Sequence, residues 1–439
     1  MKPIRIGLLG LGTVGAGVVK VCASHREELE EKIGAPIELA AIVDKDTTTP
    51  REGLDLASLP LTSDPETILG DSSIDIVVEL IGGIESARAY VLRALAAGKH
   101  VVTANKALLA THGEELYAEA RKHGRMLAFE AAVAGGIPII RAVKDGLTAN
   151  RVISLQGIVN GTANYILSKM TDEGLEFRNV LKEAQEKGYA EADPTFDIEG
   201  IDSAHKLQVL ATLAFRASMK FEDIYVEGIT QITPLDIALA REMGYRIKLL
   251  AVAKSMDGTL ELRVHPTMIP ETSPMSAVSG IFNAVFVSGD VVGDLMFYGR
   301  GAGQFPTASS VWADIVEIAR RHSAGQSATI QDLPILGSKP PTLKPMSDVR
   351  SSYYLRVSAL DQPAVLAQVA GILGRHEISI ASVIQKTHQR ADRADRTKAV
   401  PVVMMTHEAQ EGNVRTALAE IDALQVIAAP TFMIRVEEA

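Results

Sequence analysis

The stretch IRIGLLGLGTVGAGVVKVC, residues 4 to 22, decides the fold. Residues 4 to 9 read as a short buried strand, and after a run of glycines Val14, Val18, Val19 and Cys22 recur on or near one face of a helix. Between them, Gly10-Leu11-Gly12-Thr13-Val14-Gly15 is a G-x-G-x-x-G placed after a strand and before a helix, the context that gives an otherwise weak motif its weight. The three glycines answer three separate needs. Gly10 allows the tight turn, Gly12 lets the backbone approach a pyrophosphate, and Gly15 permits close packing of helix on strand, while the helix N-terminus favours negative charge. The bland alternative is a Gly-rich turn with no ligand, and the βαβ continuation argues against it.

Outward from this unit, the runs IELAAIV (37 to 43), IDIVVEL (74 to 80), HVVTA (100 to 104) and RMLAFEAAV (125 to 133) read as strands alternating with helical stretches such as SARAYVLRALAAG. Such alternation predicts a parallel, doubly wound sheet of the Rossmann type over residues 1 to 150. The second strand closes with Asp44, followed by Lys45 and Asp46. A carboxylate there suits the free 2′-hydroxyl of NAD, whereas Lys45 or Arg51 suits the 2′-phosphate of NADP, so the residues leave both cofactors open.

From Arg151 the pattern becomes α+β. A strand (RVISLQGIVN) and three helices (162 to 172, 176 to 187, 199 to 217) precede IKLLAVAKSMDGTLELRVHP, where Asp257-Gly258 between apolar alternations signals a hairpin. The ribbon NAVFVSGDVVGDLMFYG is expected to extend the same sheet. A proline-initiated amphipathic helix over 306 to 321 is expected to complete the first domain. The second domain, for substrate binding and oligomerisation, is expected to span 151 to 322, with a linker over 323 to 349. Residues 350 to 439 read as βαββαβ, a ferredoxin-like module, with THQRADRADRTK as a mobile loop between its second and third strands.

Composition bounds the function. The 439 residues suggest about three domains. Forty-four Lys and Arg against 54 Asp and Glu give a formal charge of -10, which disfavours nucleic acid and anionic membranes and points to a small-molecule partner. The single cysteine, Cys22, excludes an internal disulfide and fits a cytoplasmic location. The apolar run at 6 to 19 contains five glycines and no A-x-A cleavage pattern, and no stretch approaches a membrane span.

Candidate chemistry gathers in two places. Thr103-Ala104-Asn105-Lys106 should emerge at the carboxyl edge of the sheet, where ligands bind in such folds. In GYAEADPTFDIEGIDSAHK (188 to 206), Asp202 and Lys206 are four apart and share a helix face, with Glu191 and Asp197 on the preceding loop. An exposed ion pair explains the spacing alone; several carboxylates with one ammonium also suit a zwitterionic substrate. Asn160-Gly161-Thr162 ends a strand and begins a helix, so its N–H groups could hold a carboxylate. Cys22 lies inside a helix, which removes the nucleophile that acylating aldehyde oxidation requires.

With ANKALLA (104 to 110), FEAAVAGGIPII (129 to 140), GIVNGTANYIL (157 to 167), YAEADPTFDIEGIDSAHKL (189 to 207) and GRGAG (299 to 303) in order, the chain resembles homoserine dehydrogenases, and DQPAVLAQVAGILGRHEISI is similar to an ACT regulatory domain. The resemblance implies reversible NADP- or NAD-dependent reduction of L-aspartate 4-semialdehyde to L-homoserine. It implies Lys206 as the proton-transfer residue, Lys106 as a second lysine near the carbonyl and nicotinamide, and Glu191, Asp197, Asp202, Gly161 and Thr162 around the substrate. It further implies that Gly303 returns to the cofactor and that a monovalent cation, usually sodium, is held at Glu130, Val133, Gly135 and Ile137. A homodimer or homotetramer, and threonine as effector of the C-terminal domain, complete the implied picture. Where the family usually has glycine after the proline of DQP, this chain has Ala364, which is expected to narrow the effector pocket or abolish it. Two alternatives stay beside this reading: an inactive dinucleotide and amino-acid sensor, and an oxidoreductase of another amino-acid aldehyde.

Overall fold

The computed structural model describes residues 2 to 325, 341 to 385 and 399 to 437. Most of the expected linker and the whole THQRADRADRTK loop lie outside the described residues. Two compact units emerge, neither of them continuous in sequence: Met1–Gly161 with Asp202–Ile224 and Ile281–Pro341, and Thr162–Ile201 with Tyr225–Gly280 and Thr342–Ala439.

The first unit is built on a six-stranded parallel sheet. Its order is Leu61–Thr62, Ile37–Val43, Ile4–Leu9, Ile76–Glu79, His100–Thr103 and Leu127–Ala128. In sequence numbering this is 3-2-1-4-5-6, the doubly wound order, with its switch point between Ile4–Leu9 and Ile76–Glu79. Strands in such a sheet are covered on both faces, which is why Ile6, Leu8, Ile76 and Val78 have no exposed surface. On one face, the Thr13–Ser24 helix packs against a 20-residue helix, Gln304–Ser323, and the buried Trp312 indole donates to the carbonyl of Val18 at 2.9 Å.

One expected strand is much shorter than its apolar run. RMLAFEAAV yields only Leu127–Ala128, because at Glu130 the chain turns into a 3-10 helix. Glu130 is buried, and its two carboxylate oxygens accept the backbone N–H groups of Ile140 and Arg141 at 2.8 and 3.0 Å. Those bonds replace a sheet ladder. The unit also holds a three-stranded antiparallel ribbon, in which Phe282–Gly289 lies between Val152–Ile158 and Gly293–Arg300.

In the second unit, Tyr245–Met256 and Thr259–Pro270 form the expected hairpin, with φ of 50° at Asp257 and 77° at Gly258. Positive φ at both positions matches the right-handed twist of the flanking strands. The C-terminal module has the antiparallel order Ile427–Val436, Arg350–Leu360, Ala399–Thr406, Ile380–Gln385, with helices Val365–Arg375 and Glu411–Asp422. This is the expected βαββαβ. It is not a separate bead: Arg435 and Val436 pair in parallel with Thr267 and Met268 of the hairpin. The fully buried Arg435 bonds Glu411 within the module and Glu227 across that seam, each at 2.7 Å, and across it Asp236 also receives both the Tyr354 hydroxyl and the Arg356 guanidinium at 2.7 Å.

Candidate active site

At the switch point the Gly-rich turn has the geometry its glycines foretell. Gly10 has φ 102°, and a Cβ there would come within 2.6 Å of the carbonyl oxygen of Leu80. A Cβ on Gly15 would stand 2.0 Å from the carbonyl oxygen of Gly10, so helix and turn touch directly. Gly12, the N-cap of the Thr13–Ser24 helix, is different: a Cβ there would meet nothing within 4 Å. Gly12 and Thr13 are exposed, Val14 is half-buried, and Leu11 is buried in the core. The turn therefore presents backbone and open space above a helix N-terminus, which fits a pyrophosphate.

Asp44 does two things at once. Its Oδ2 accepts the Leu11 N–H at 2.6 Å and its Oδ1 accepts the Asp46 N–H at 2.9 Å, so it braces the turn as well as lining its edge. Arg51 lies 4.0 Å from Asp44 and donates to the carbonyl of Leu11, while Lys45 is exposed. Thr103 is fully buried, with its hydroxyl donating to Glu79 at 2.6 Å and accepting the Asn105 N–H at 3.0 Å. Its contribution is to the shape of the strand edge. Glu79 was not singled out from sequence, where it is one acid ending an apolar run. Burial pushes its carboxyl up from the ordinary range, against the hydrogen bonds it accepts from Thr103 and Ile81.

Asn105 caps the next helix, its side chain accepting the Leu108 N–H at 3.1 Å, and so fixes Lys106 as the first helical residue. On the Ile201–Phe215 helix, Asp202 occupies the first turn and Lys206 stands one turn later. Lys106 Nζ lies 3.0 Å from Asp202 Oδ1, and Lys206 Nζ lies 2.8 Å from Asp202 Oδ2. Lys206 also donates to the carbonyl of Val159 at 2.6 Å, and the Asn160 amide donates to Asp202 Oδ2 at 2.7 Å. The Asn160 amide thus serves the carboxylate.

Burial opposes the charge on Asp202, yet the ammonium groups of Lys206 and Lys106 and the hydrogen bonds from Lys206 and Asn160 hold its carboxyl well below the usual carboxylate range. The result is one buried anion between two lysines. Lys206 is 11% exposed at its side chain and Lys106 32%, so the second ammonium is the more accessible.

The remaining expected residues divide between the units. Gly161 sits in the first, where a Cβ would come within 3.1 Å of the carbonyl oxygen of Ile281. Thr162, Glu191 and Asp197 belong to the second. There the Thr162 hydroxyl donates to the carbonyl of Tyr189 at 2.6 Å, Glu191 is exposed, and Asp197 is on a short helix, Thr195–Ile198.

At the expected cation loop, Ala134 and Gly135 have positive φ, the carbonyl of Gly135 accepts the Ser310 hydroxyl at 2.7 Å, and that of Ile137 accepts the Ile139 N–H. Val133 is buried in extended conformation. One carboxylate and backbone carbonyls are hard oxygen donors of low total charge, the donor type a monovalent ion takes. Among the described residues no cluster of three or more His, Cys, Asp or Glu could hold a metal ion. Gly303, with φ 122° and ψ 158°, is the N-cap of the Gln304–Ser323 helix.

Known proteins similar to this chain identify its family. The family model described as homoserine dehydrogenase, NAD binding domain, matches residues 10–130, and the model described as homoserine dehydrogenase matches 138–316. A homoserine dehydrogenase of Pseudomonas aeruginosa is 46% identical, with all of both chains covered. The chain belongs to the homoserine dehydrogenase family. It is an oxidoreductase of that activity, and residues 353–425 match the ACT domain. The solved homoserine dehydrogenase of Thiobacillus denitrificans is 48% identical with a TM-score of 0.90, covering 100% of this chain and 99% of that one. A hyperthermophilic archaeal homoserine dehydrogenase in complex with NADPH is 25% identical with a TM-score of 0.61, over 72% of this chain and 98% of that one.

Proposed function

We propose that Lys206 and Lys106, held on the single carboxylate of Asp202, form the proton-transfer centre for reversible reduction of L-aspartate 4-semialdehyde to L-homoserine. The observation that carries this is the pair of lysine contacts on one buried anion. Reduction turns the aldehyde oxygen into a developing alkoxide, which needs a proton; Lys206 supplies it and, in the reverse direction, removes it from the hydroxyl. Lys106, the more exposed ammonium, polarises the carbonyl. Asp202 keeps both lysines aimed. Glu191, Asp197, Gly161 and Thr162 bind the amino and carboxylate groups of the substrate.

Gly10 to Gly15 and Gly303 receive the dinucleotide, with Asp44 and Thr103 shaping its edge. When bound, the nicotinamide supplies the hydride. Asp44 suits NAD and its neighbour Arg51 suits NADP, and the complex of the archaeal relative with NADPH supports use of the phosphorylated form. Glu130, Val133, Gly135 and Ile137 would hold sodium, supplying oxygen ligands and one negative charge. The functional divisions lie near residues 150, 322 and 350, the C-terminal module takes threonine, and the enzyme works in the cytoplasm as a homodimer or homotetramer. No helix among the described residues is long and apolar enough to cross a membrane.

The test is homoserine oxidation with NAD or NADP, followed by absorbance of the reduced cofactor, beside a panel of other amino-acid alcohols. Homoserine is expected to give the highest kcat/KM. Turnover favouring another alcohol would replace the substrate, and none at all would favour a sensor.

A further inference from the structure

Asn283 is 1% exposed, and neither its amide nitrogen nor its amide oxygen has a hydrogen-bond partner among the described residues. A buried primary amide with both ends unmade is unfavourable where an apolar side chain of similar size would do. Its position is specific. On its strand, Asn283 pairs with Gly299, and its neighbour Ala284 pairs with Ile158, one residue before the Val159 carbonyl that anchors Lys206. A Cβ on Gly301 would lie 2.0 Å from the Asn283 amide oxygen, so the amide occupies the space a side chain at 301 would take.

On its other side the same segment meets the 134 to 136 loop. A Cβ on Gly135 would come within 2.4 Å of the carbonyl oxygen of Gly301, and Gly136 N–H donates to the carbonyl of Arg300 at 3.0 Å. Three glycines in five residues, Gly299, Gly301 and Gly303, leave this backbone free to reorient.

We propose that Asn283 is the positioning residue that fixes the Gly299–Gly303 segment against a bound dinucleotide. A primary amide offers one donor face and one acceptor face, the complement of a backbone C=O and N–H, and the backbone in contact with it is that of Gly301. Binding shifts the segment so that its peptide groups pair with the amide, and the unmade bonds become part of the affinity. This rests on the reading that the segment carrying Gly303 meets the cofactor.

The test compares the full-length wild type with Asn283→Leu, Asn283→Ala and Gly12→Val, by calorimetric titration with NADPH and NADH and by thermal melting without cofactor. Asn283→Leu is expected to bind either dinucleotide roughly tenfold or more weakly, the effect of losing one or two hydrogen bonds, while melting at the wild-type temperature or above. Should leucine prove too bulky beside Gly301 to fold, Asn283→Ala carries the same affinity readout. Affinity within twofold of wild type in the Asn283 variants, with Gly12→Val weakened, overturns the proposal and spares the cofactor site. So does a loss of affinity that only tracks a lowered melting temperature in both. If wild type itself binds neither dinucleotide, the underlying site reading fails along with it.

Discussion

Lys206 Nζ stands 2.8 Å from Oδ2 of Asp202, one helical turn away, and the same ammonium donates to the Val159 carbonyl at 2.6 Å. The helix spacing alone makes this pair look like any exposed i, i+4 bridge, usually worth a few tenths of a kcal/mol. Burial changes its meaning, because a carboxylate with 6% of its side chain exposed is held charged by the two lysines and the Asn160 amide around it. Lys206→Ala is therefore expected to lower kcat by roughly 10²- to 10⁴-fold, the range for a positioned acid or base, with cofactor affinity and circular dichroism unchanged. Turnover near wild type would return Lys206 to a structural ion pair.

Asp202→Asn is expected to destabilise the chain by about 3 kcal/mol at pH 7, since two ammonium groups lose their shared anion. The effect has a direction in pH. The folded-state pKa of Asp202 lies below that of an unfolded aspartate, about 3.9, so the wild-type advantage is complete above that value and shrinks as pH falls beneath it. Urea unfolding of both proteins at pH 7, 5, 4 and 3 reads the difference. An advantage that grew towards acid would contradict the assignment.

The turn glycines should separate cleanly. Gly12→Val adds a side chain where nothing lies within 4 Å, so it should fold normally and lose NAD(P) affinity; Gly15→Ala drives a methyl to 2.0 Å from a backbone oxygen and should lose stability first. Fluorescence titration and thermal melting of both variants give the comparison. Equal loss of stability in the two would remove the phosphate-site reading.

Local periodicity carries far in this chain. The doubly wound sheet and the C-terminal βαββαβ were legible because each element has its own apolar pattern and breaker residues. What long-range pairing decides was not. Arg435 and Thr267 meet across 168 positions, and nothing in either strand announces the partner. The shortened strand at Leu127–Ala128 failed for a related reason: Glu130 looks like an interruption, and only its bonds to Ile140 and Arg141 reveal a turn. In the candidate site, the resemblance and spacing named Lys106, Asp202 and Lys206, but Glu79 and Asn283 are single polar residues in apolar runs, and only burial beside unmatched or shared hydrogen bonds marks them.

The seam within the second unit offers a graded comparison of two arginines on the same acids. Arg435 is fully buried against Glu411 and Glu227, whereas Arg415, with 46% of its side chain exposed, reaches the same two carboxylates from outside at 2.8 and 3.0 Å. Arg435→Met should cost about 3 kcal/mol because it takes the buried cation from Glu411, a carboxylate with no exposed surface, and leaves it only the outer Arg415. Arg415→Met should cost less than about 1 kcal/mol, since its pairs are screened by water. Chemical denaturation of the full chain distinguishes them, and comparable losses would mean that burial is not what sets the strength of this seam.

Ala364 is the N-cap of the Val365–Arg375 helix and adopts φ 69° and ψ -3°, the left-handed region, where a Cβ meets the following carbonyl. An alanine there carries roughly 1 to 2 kcal/mol of strain. Glycine would relieve it, while the greater freedom of glycine in the unfolded chain takes back about 0.4 to 1 kcal/mol. Ala364→Gly is thus expected to stabilise the protein by about 0.5 to 1 kcal/mol, read as a higher urea midpoint. The same backbone opens the helix N-terminus beside Asp361 and Gln362, which line a small cavity of about 70 Å³ with Val357, Leu366, Val402 and Met404. Glycine restores the family pattern at this entrance, so inhibition of homoserine oxidation by millimolar threonine should strengthen severalfold in Ala364→Gly. If the full chain ignores threonine, methionine, isoleucine and lysine alike, with alanine or glycine at 364, the C-terminal module is not an amino-acid sensor and its buried seam serves only to hold the second unit together.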